Sequence, residues 1–366
     1  MDVDVFDGGW GAHEQVVMCQ DQATGLKAII AIHSTVLGAS LGGTRWKPYD
    51  STADALVDVL RLSRAMTYKS AAAGLDLGGG KAVIVGDPAK DRSDEFLRTY
   101  ARFVHSLSGR YITAEDVGST MADMDFMCKE SPYVAGISEA LGGSGDPSPV
   151  TSIGVFSAVK ATAKHLWGDE SLEGKHICVS GVGKVGSELA RHLAAAGARL
   201  TLADILPESA QRVAAETGAE IVDVDKVHAV ACDIFSPCAL GGILNSTTIP
   251  ELSCSAIVGA ANNQLATPED AEALRAAGIL YVPDYIANAG GVINIACEAD
   301  PGGYDGARAR QRVSENIFAS TTDVLEIAAR EGITTAKAAD RRAESRLEAA
   351  RATPRIRTFP KETPHF

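Results

Sequence analysis

Apolar positions run through the chain in two different rhythms. Residues 27–34 (Lys-Ala-Ile-Ile-Ala-Ile-His-Ser) and 81–86 (Lys-Ala-Val-Ile-Val-Gly) are short β-branched runs that read as buried strands. Between them Leu56, Val59, Leu60 and Met66 recur at three-to-four spacing, which predicts a helix over 53–69 with Ser51 and Asp54 at its N-terminal cap. This first half is mixed α+β. From about Thr151 the rhythm changes: strand-like runs at 176–180, 200–204, 219–223, 232–235, 255–259 and 279–282 alternate with Ala-rich helical runs. That is the pattern of βαβ units on a parallel sheet. Gly142-Gly-Ser-Gly-Asp-Pro-Ser-Pro149 marks a linker between the halves. A last long helix is expected over 307–331, with Val313, Ile317, Val324 and Ala328 on one stripe, crossing back to the first half. The proline-bearing tail from Arg351 is expected to be poorly ordered.

Length and charge narrow the function classes. A chain of 366 residues is long for one core, which points to two domains. The net charge of −13 repels phosphate backbones and anionic lipid, so nucleic acid and membrane are excluded as partners. No run approaches the roughly 20 apolar residues that span a bilayer, and Met1-Asp-Val-Asp4 lacks the basic flank of a secretion signal. A cytoplasmic protein is expected. The seven cysteines are scattered without CxxC spacing, and the histidines form no HxxxH pair. They read as buried free thiols of a reducing compartment, with no metal site.

The second half carries Gly181-Val-Gly183-Lys184-Val185-Gly186 at the end of an apolar strand and ahead of an amphipathic helix over 187–196. Alone, G-x-G-x-x-G is also a common structural turn. Here Gly181 permits the tight turn, Gly183 admits a pyrophosphate to the backbone, Gly186 lets helix and strand pack closely, and the helix start supplies N–H donors. A second strand ends in Asp204, about 20 residues on, where an adenosine ribose presents its hydroxyls. Ile205 and Leu206 follow, with no basic residue for a 2′-phosphate, which favours NAD over NADP. The fold class is therefore α/β with two domains separated by a cleft. An α+β domain covers 1–148, joined by a helical segment at about 331–350, a Rossmann-type dinucleotide-binding domain covers 149–330, and 351–366 is the tail.

Candidate chemistry lies in the first half. Lys69 ends the predicted helix, and Lys81 sits between three glycines and an apolar strand. Either lysine alone would be read as a solvated surface residue. Two ammonium groups held close and partly desolvated would have depressed pKa values, suiting one as a general base and the other as a carboxylate grip. The Gly78–Gly80 run lacks the GxxxxGK[ST] spacing of a phosphate loop and is expected to precede a strand. Asp116 precedes Val117-Gly118, where an Asx-turn is the plainer alternative. Asn263 and Asn288 lie just past predicted strand ends, the edge where parallel sheets bind ligands.

Matching segments run along nearly the whole chain: Ala12-His-Glu-Gln-Val, Leu41-Gly-Gly-Thr-Arg45, Gly78-Gly-Gly-Lys81, Gly109-Arg-Tyr-Ile-Thr-Ala-Glu-Asp116-Val-Gly118, Pro237-Cys-Ala-Leu-Gly-Gly242, Pro283-Asp-Tyr285 and Ala338-Ala-Asp340-Arg341. In these the chain resembles the Glu/Leu/Phe/Val dehydrogenases, and within them the leucine and valine dehydrogenases. The resemblance implies that Lys69 binds a substrate carboxylate, Lys81 activates the water that attacks an imine, and Asp116 exchanges protons with the substrate nitrogen, assisted by Asn263. It also implies that Gly42 and Gly43 line the pocket, that Thr151, Asn262 and Asn288 lie near the nicotinamide, and that the chain forms a homo-oligomer. Cys238, Ala239 and Ala260 complete the cofactor candidates.

For specificity, the side-chain pocket of leucine-type members falls here on Leu41, Ala114, Val292 and Ile295. Phenylalanine-type members tend to carry Gly at 114 and Leu at 292, so this pair is the aliphatic one. Ala135 stands where leucine-type relatives often have Thr, which leaves phenylalanine as the alternative substrate. Glutamate is disfavoured, because no additional lysine falls among the pocket positions. A non-catalytic NAD-binding sensor or scaffold is the alternative from another class, and Lys69, Lys81 and Asp116 together argue against it.

Overall fold

The computed structural model describes residues 13–352. The acidic N-terminus and the tail from 353 lie outside the described residues, while Arg351 and Ala352 end the helix Thr335–Ala352. Contacts divide the chain into two compact units. The first runs to Asp146 and takes in Ile295–Gly306 and the chain from Ala343, and the second is Pro147–Asn294 with Ala307–Arg342.

The first unit is built on a five-stranded mixed sheet. Its strands are β1 (Gln15–Gln20), β2 (Lys27–Ser34), β3 (Ser40–Lys47), β4 (Gly78–Val85) and β5 (Tyr111–Glu115), in the order β1-β2-β4-β3-β5. Parallel pairing sets Leu41 opposite Gly79 and Ile112, Gly43 opposite Ala114 and Arg45 opposite Val83. Antiparallel pairing sets Lys81 opposite Ala31. Side chains alternate faces along a strand, so Leu41, Gly43, Arg45, Gly79, Lys81 and Ala114 share one face. The helix α1 (Thr52–Ala72) covers part of it, burying Ala55, Val59 and Leu60 against Ile29, Ala31 and Val83. Ser51 caps α1 by accepting the Asp54 N–H, a contact worth about 1 kcal/mol. The other face packs Trp46, Ala82, Ile84 and Tyr111 against Tyr100 and Met124, with the helix Asp94–His105 contributing Tyr100.

Sequence and structure part company at Gly78–Gly80. The run does not precede a strand but forms the first part of β4. A Cβ on Gly79 would stand 2.1 Å from the Thr67 backbone nitrogen, and one on Gly80 would stand 2.7 Å from the Tyr111 ring. The missing side chains let α1 and Tyr111 press on the strand from its two faces.

In the second unit β6 (His176–Ser180), β7 (Arg199–Ala203), β8 (Glu220–Ile221), β9 (Ile234–Pro237), β10 (Ala256–Ile257) and β11 (Leu280–Tyr281) form a sheet in the order β11-β10-β9-β6-β7-β8. Every pairing is parallel. The order reverses between β6 and β9, the switch point at which doubly wound sheets bind ligands. The helix Ser148–Trp167 starts inside the segment read as a linker. The helix Gly306–Glu331 begins within a residue of its predicted start, but from Ala307 it stays with the second unit rather than crossing to the first. Its stripe is used there: Ile317 and Val313 close over Gly154 of Ser148–Trp167, and the Ser157 and Ser314 hydroxyls meet at 2.9 Å. Only from Ala343 does the chain return to the first unit, where Arg346 donates to Asp76 at 2.8 Å.

All seven thiols are free, three buried and four half-buried. Among the described residues no helix is long and apolar enough to cross a membrane, and no three His, Cys, Asp or Glu side chains could together hold a metal ion.

Candidate active site

The face shared by Leu41, Gly43 and Lys81 ends in a chain of charges. Lys81 Nζ donates to Asp116 Oδ1 at 2.8 Å, and Arg45 Nε donates to Asp116 Oδ2 at 2.9 Å. Arg45 Nη1 donates in turn to Asp58 Oδ2 at 3.0 Å, an oxygen that also accepts the Tyr49 hydroxyl at 2.9 Å. The strands and α1 explain the convergence: β4 supplies Lys81, β3 supplies Arg45, α1 supplies Asp58, and Asp116 follows the last residue of β5. Gly43 is what lets Asp116 come close, since a Cβ there would stand 2.9 Å from the Asp116 Cβ. The Asp116 carboxylate is thus taken by two cations and not by an Asx-turn.

Burial sets the protonation of the pair. Lys81 is 5 % exposed, and burial pushes its ammonium below the usual lysine range, against the pull of Asp116 and with a further push from Arg45. Burial works to raise Asp116, but the charges and hydrogen bonds of Lys81 and Arg45 outweigh it and hold the carboxyl below its ordinary range. A neighbouring cation that depresses Lys81 is Arg45, which the sequence does not single out. Lys69 lies half-buried in the last turn of α1, two residues past the Thr67 that presses on Gly79.

Around this pair the first unit gathers small residues. Ala114 pairs with Gly43, and the Ala135 N–H donates to Thr113 on the adjacent strand at 2.8 Å. A Cβ on Gly136 would stand 3.7 Å from Ile295 Cδ1 and 3.8 Å from Ala114 Cβ, so Ala114 and Ile295 face one space. Gly42 lies against β4, where a Cβ would meet the Gly80 carbonyl at 1.8 Å. Val292, buried, belongs to the second unit, as does Asn263.

In the second unit the cofactor candidates meet at the ends of β6 and β9. Gly181 has φ +97°, a left-handed conformation that favours glycine, and a Cβ there would stand 2.6 Å from that of Ala239. Gly186 packs on the turn: a Cβ would reach the Gly181 carbonyl at 2.0 Å and Cys238 Cβ at 3.3 Å. Above Gly183 lies open space, and the helix Lys184–Ala195, which runs on through Val185 and Gly186, starts there without a side-chain cap. Asp204 accepts the Val182 N–H at 2.7 Å and the Leu206 N–H at 2.8 Å, tying the glycine turn to the end of β7. Ile205 stands exposed beside it. Further along the same edge, Asn288 Nδ2 donates to Asn262 Oδ1 at 2.8 Å and to the Ala260 carbonyl at 3.2 Å. Asn263, at φ +52°, gives its N–H to the Asp284 carboxylate. Thr151 sits beside Gly291, its hydroxyl 3.2 Å from where a Cβ would be.

Comparison with known proteins decides the family. Residues 13–133 match the profile of the Glu/Leu/Phe/Val dehydrogenase dimerisation domain, and 142–205 with 202–353 match that of the Glutamate/Leucine/Phenylalanine/Valine dehydrogenases. The chain belongs to the Glu/Leu/Phe/Val dehydrogenase family. It is 53% identical to the leucine dehydrogenase of Thermoactinomyces intermedius over 93% of this chain and 92% of that one. It is 48% identical to the valine dehydrogenase of Streptomyces coelicolor over 96% of both. Among solved structures, L-tryptophan dehydrogenase from Nostoc punctiforme superposes with a TM-score of 0.85 at 44% identity, covering 93% of this chain and 97% of that one. As a member of this family the protein is an amino-acid dehydrogenase, which deaminates its substrate oxidatively with a nicotinamide cofactor. The residues at the sheet edge fit such a group. Open backbone above Gly183, the uncapped helix start and the left-handed Gly181 make a cradle for a pyrophosphate that any Cβ would fill.

Arg45, Asp58 and Tyr49 are the residues that reading the sequence misses. Arg45 closes the segment Leu41-Gly-Gly-Thr-Arg45, but nothing in that segment gives it a role. The available signal is alternation from Leu41 through Gly43 to Arg45, and it speaks only once β3 is known to be a strand.

Proposed function

We propose that the chain catalyses the reversible, NAD-dependent oxidative deamination of a branched-chain aliphatic L-amino acid, leucine, valine or isoleucine, to the 2-oxo acid, ammonia and NADH. The observation that carries this reading is the Lys81–Asp116 contact of 2.8 Å on the sheet face that also holds Leu41, Gly43 and Ala114. In it Lys69 takes the substrate carboxylate, beside the backbone of Gly42 and Gly43. Asp116, ionised between two cations, removes a proton from the substrate nitrogen, with Asn263 assisting. Thr151, Asn262 and Asn288 would hold the nicotinamide, which would supply the acceptor for the hydride leaving Cα. Lys81, whose burial favours the neutral amine, draws the proton from the water that adds to the resulting imine. The carbinolamine then collapses to ammonia and the 2-oxo acid, returning a proton to the leaving nitrogen.

For the cofactor, Asp204 followed by the exposed, uncharged Ile205 and Leu206 supports NAD over NADP. For the side chain, Leu41, Ala114, Val292 and Ile295 form the aliphatic set, and the similarity to leucine and valine dehydrogenases supports it. An aromatic substrate is the second reading, favoured by the small, buried Ala135 and by the likeness to a tryptophan dehydrogenase. A homo-oligomer working in the cytoplasm completes the proposal, supported by the match of the first half to a dimerisation domain and by the free thiols. A monomeric mass in solution would overturn that part. The deciding experiment measures initial rates with L-Leu, L-Val, L-Ile, L-Phe, L-Trp and L-Glu at alkaline pH, with NAD and NADP in parallel. The aliphatic three with NAD are expected to lead; preference for Phe or Trp would move specificity to the second reading, and preference for NADP would defeat the role of Asp204.

A further inference from the structure

We propose that Arg45 is a positioning residue for the reaction: braced by Asp58 and Tyr49, it fixes the Asp116 carboxylate and holds a second positive charge against Lys81. The proposal rests on the assignment of Lys81 and Asp116 to the chemistry above. Each Asp116 oxygen is committed to a different cation, Oδ1 to Lys81 at 2.8 Å and Oδ2 to Arg45 at 2.9 Å. The carboxylate cannot turn without losing both. Arg45 is itself held from behind, since Nη1 meets Asp58 Oδ2 at 3.0 Å, where Tyr49 also donates at 2.9 Å, and Arg61 holds Asp58 Oδ1 at 3.0 Å. The side chains of Arg45 and Asp58 are only 19% and 12% exposed, so the link is shielded from solvent and salt. A planar guanidinium can donate from Nε to one carboxylate and from Nη1 to another at fixed geometry, whereas a lysine offers a single point charge.

The charge has its own consequence. The groups facing Lys81 are Asp116 past β5, Arg45 on β3, and Asp58 on α1, the helix that also carries Lys69. On β2 the nearest titratable side chain, His33, is engaged by Thr67 at 2.8 Å. Arg45 favours the neutral amine of Lys81 and the ionised form of Asp116, while Asp58 opposes it at Lys81.

The test compares kcat and the pH profile of kcat/KM for the wild type, Arg45→Gln, Arg45→Lys and Asp58→Asn, using the best amino acid and NAD. The substrate's own ionisation is common to all four. Arg45→Gln is expected to lower kcat by about 10²-fold, the scale of a misplaced reacting group, and to move the profile alkaline by about one unit. Arg45→Lys is expected to restore the position of the profile but not kcat. Asp58→Asn moves it the opposite way, to lower pH, a reversal that mere loss of packing does not produce. An Arg45→Gln profile superimposed on the wild type, or a kcat within twofold of it, overturns the proposal. If Arg45→Gln fails to bind NADH or to unfold cooperatively, Asp58→Asn decides, and an unmoved or alkaline-shifted profile overturns it. A wild type that turns over none of the six amino acids sinks the underlying functional reading, whereas an active wild type with unmoved variants sinks only the role of Arg45.

Discussion

The two units build their sites from opposite materials. In the first, side-chain charges hold one another on a sheet face: Lys81, Asp116, Arg45 and Asp58 form one continuous chain. In the second, the site is mostly backbone and absence, with Gly181, Gly183 and Gly186 clearing space and a helix start supplying N–H groups. The difference fits the two tasks proposed for them. Moving protons needs particular groups whose affinities are tuned by burial and neighbours, whereas gripping a long polar ligand needs close approach of many amides. The units should therefore fail differently when damaged.

The strongest test of that contrast is Lys81→Ala. Turnover is expected to fall at least about 10³-fold while NADH affinity, measured by fluorescence titration, stays within a few fold of wild type, because the lysine belongs to the first unit. A variant keeping a tenth of the rate removes Lys81 from the chemistry. The converse damage is Gly186→Ala, whose Cβ would stand 2.0 Å from the Gly181 carbonyl and force the turn open. NADH affinity is expected to drop by about 10²-fold, with the pH profile at saturating cofactor unchanged. Coincident binding curves for variant and wild type would deny the turn its role. A finer probe is Ala114→Gly, which widens the space shared with Ile295. The ratio of kcat/KM for Phe over Leu is expected to rise by about 10-fold, the worth of a methyl-sized change, and a fixed ratio would place Ala114 outside the pocket.

The smallest effect is one of stability. Burial, with the charges of His13, Arg64 and Arg351, depresses His33 from 6.5 to about 4. A histidine lowered in the folded state binds its proton more readily when unfolded. Its contribution is present above pH 6.5 and is lost as pH falls through about 4. His33→Gln should therefore flatten the fall in Tm across that window by a few degrees, while leaving both kcat and NADH affinity in place. An equal fall in Tm for both proteins would assign the acid sensitivity elsewhere.

Much of this molecule is legible in the order of its amino acids, wherever a property is local. The strand His176–Ser180, the glycine spacing after it and the helix behind it follow from neighbours within a few residues, as does the Ser51 cap of α1. Lys81 stands out as a candidate because it is flanked by glycines and apolar strand residues, whereas Asp116, ahead of Val117-Gly118, has an Asx-turn as its plainer local reading. Their contact is not legible there, nor is the engagement of Asp204 with the Val182 and Leu206 N–H groups. The strand character of Gly78–Gly80 is hidden too, since it depends on Thr67 and Tyr111 arriving from elsewhere in the chain. The presence of Arg45 beside Lys81 turns on pairing register: with β3 and β4 aligned in parallel, Arg45 reaches Asp116. Sequence spacing carries periodicity and local turn chemistry, but which charges end within 3 Å of each other is set by strand order and register, and those exist only once the chain has closed on itself.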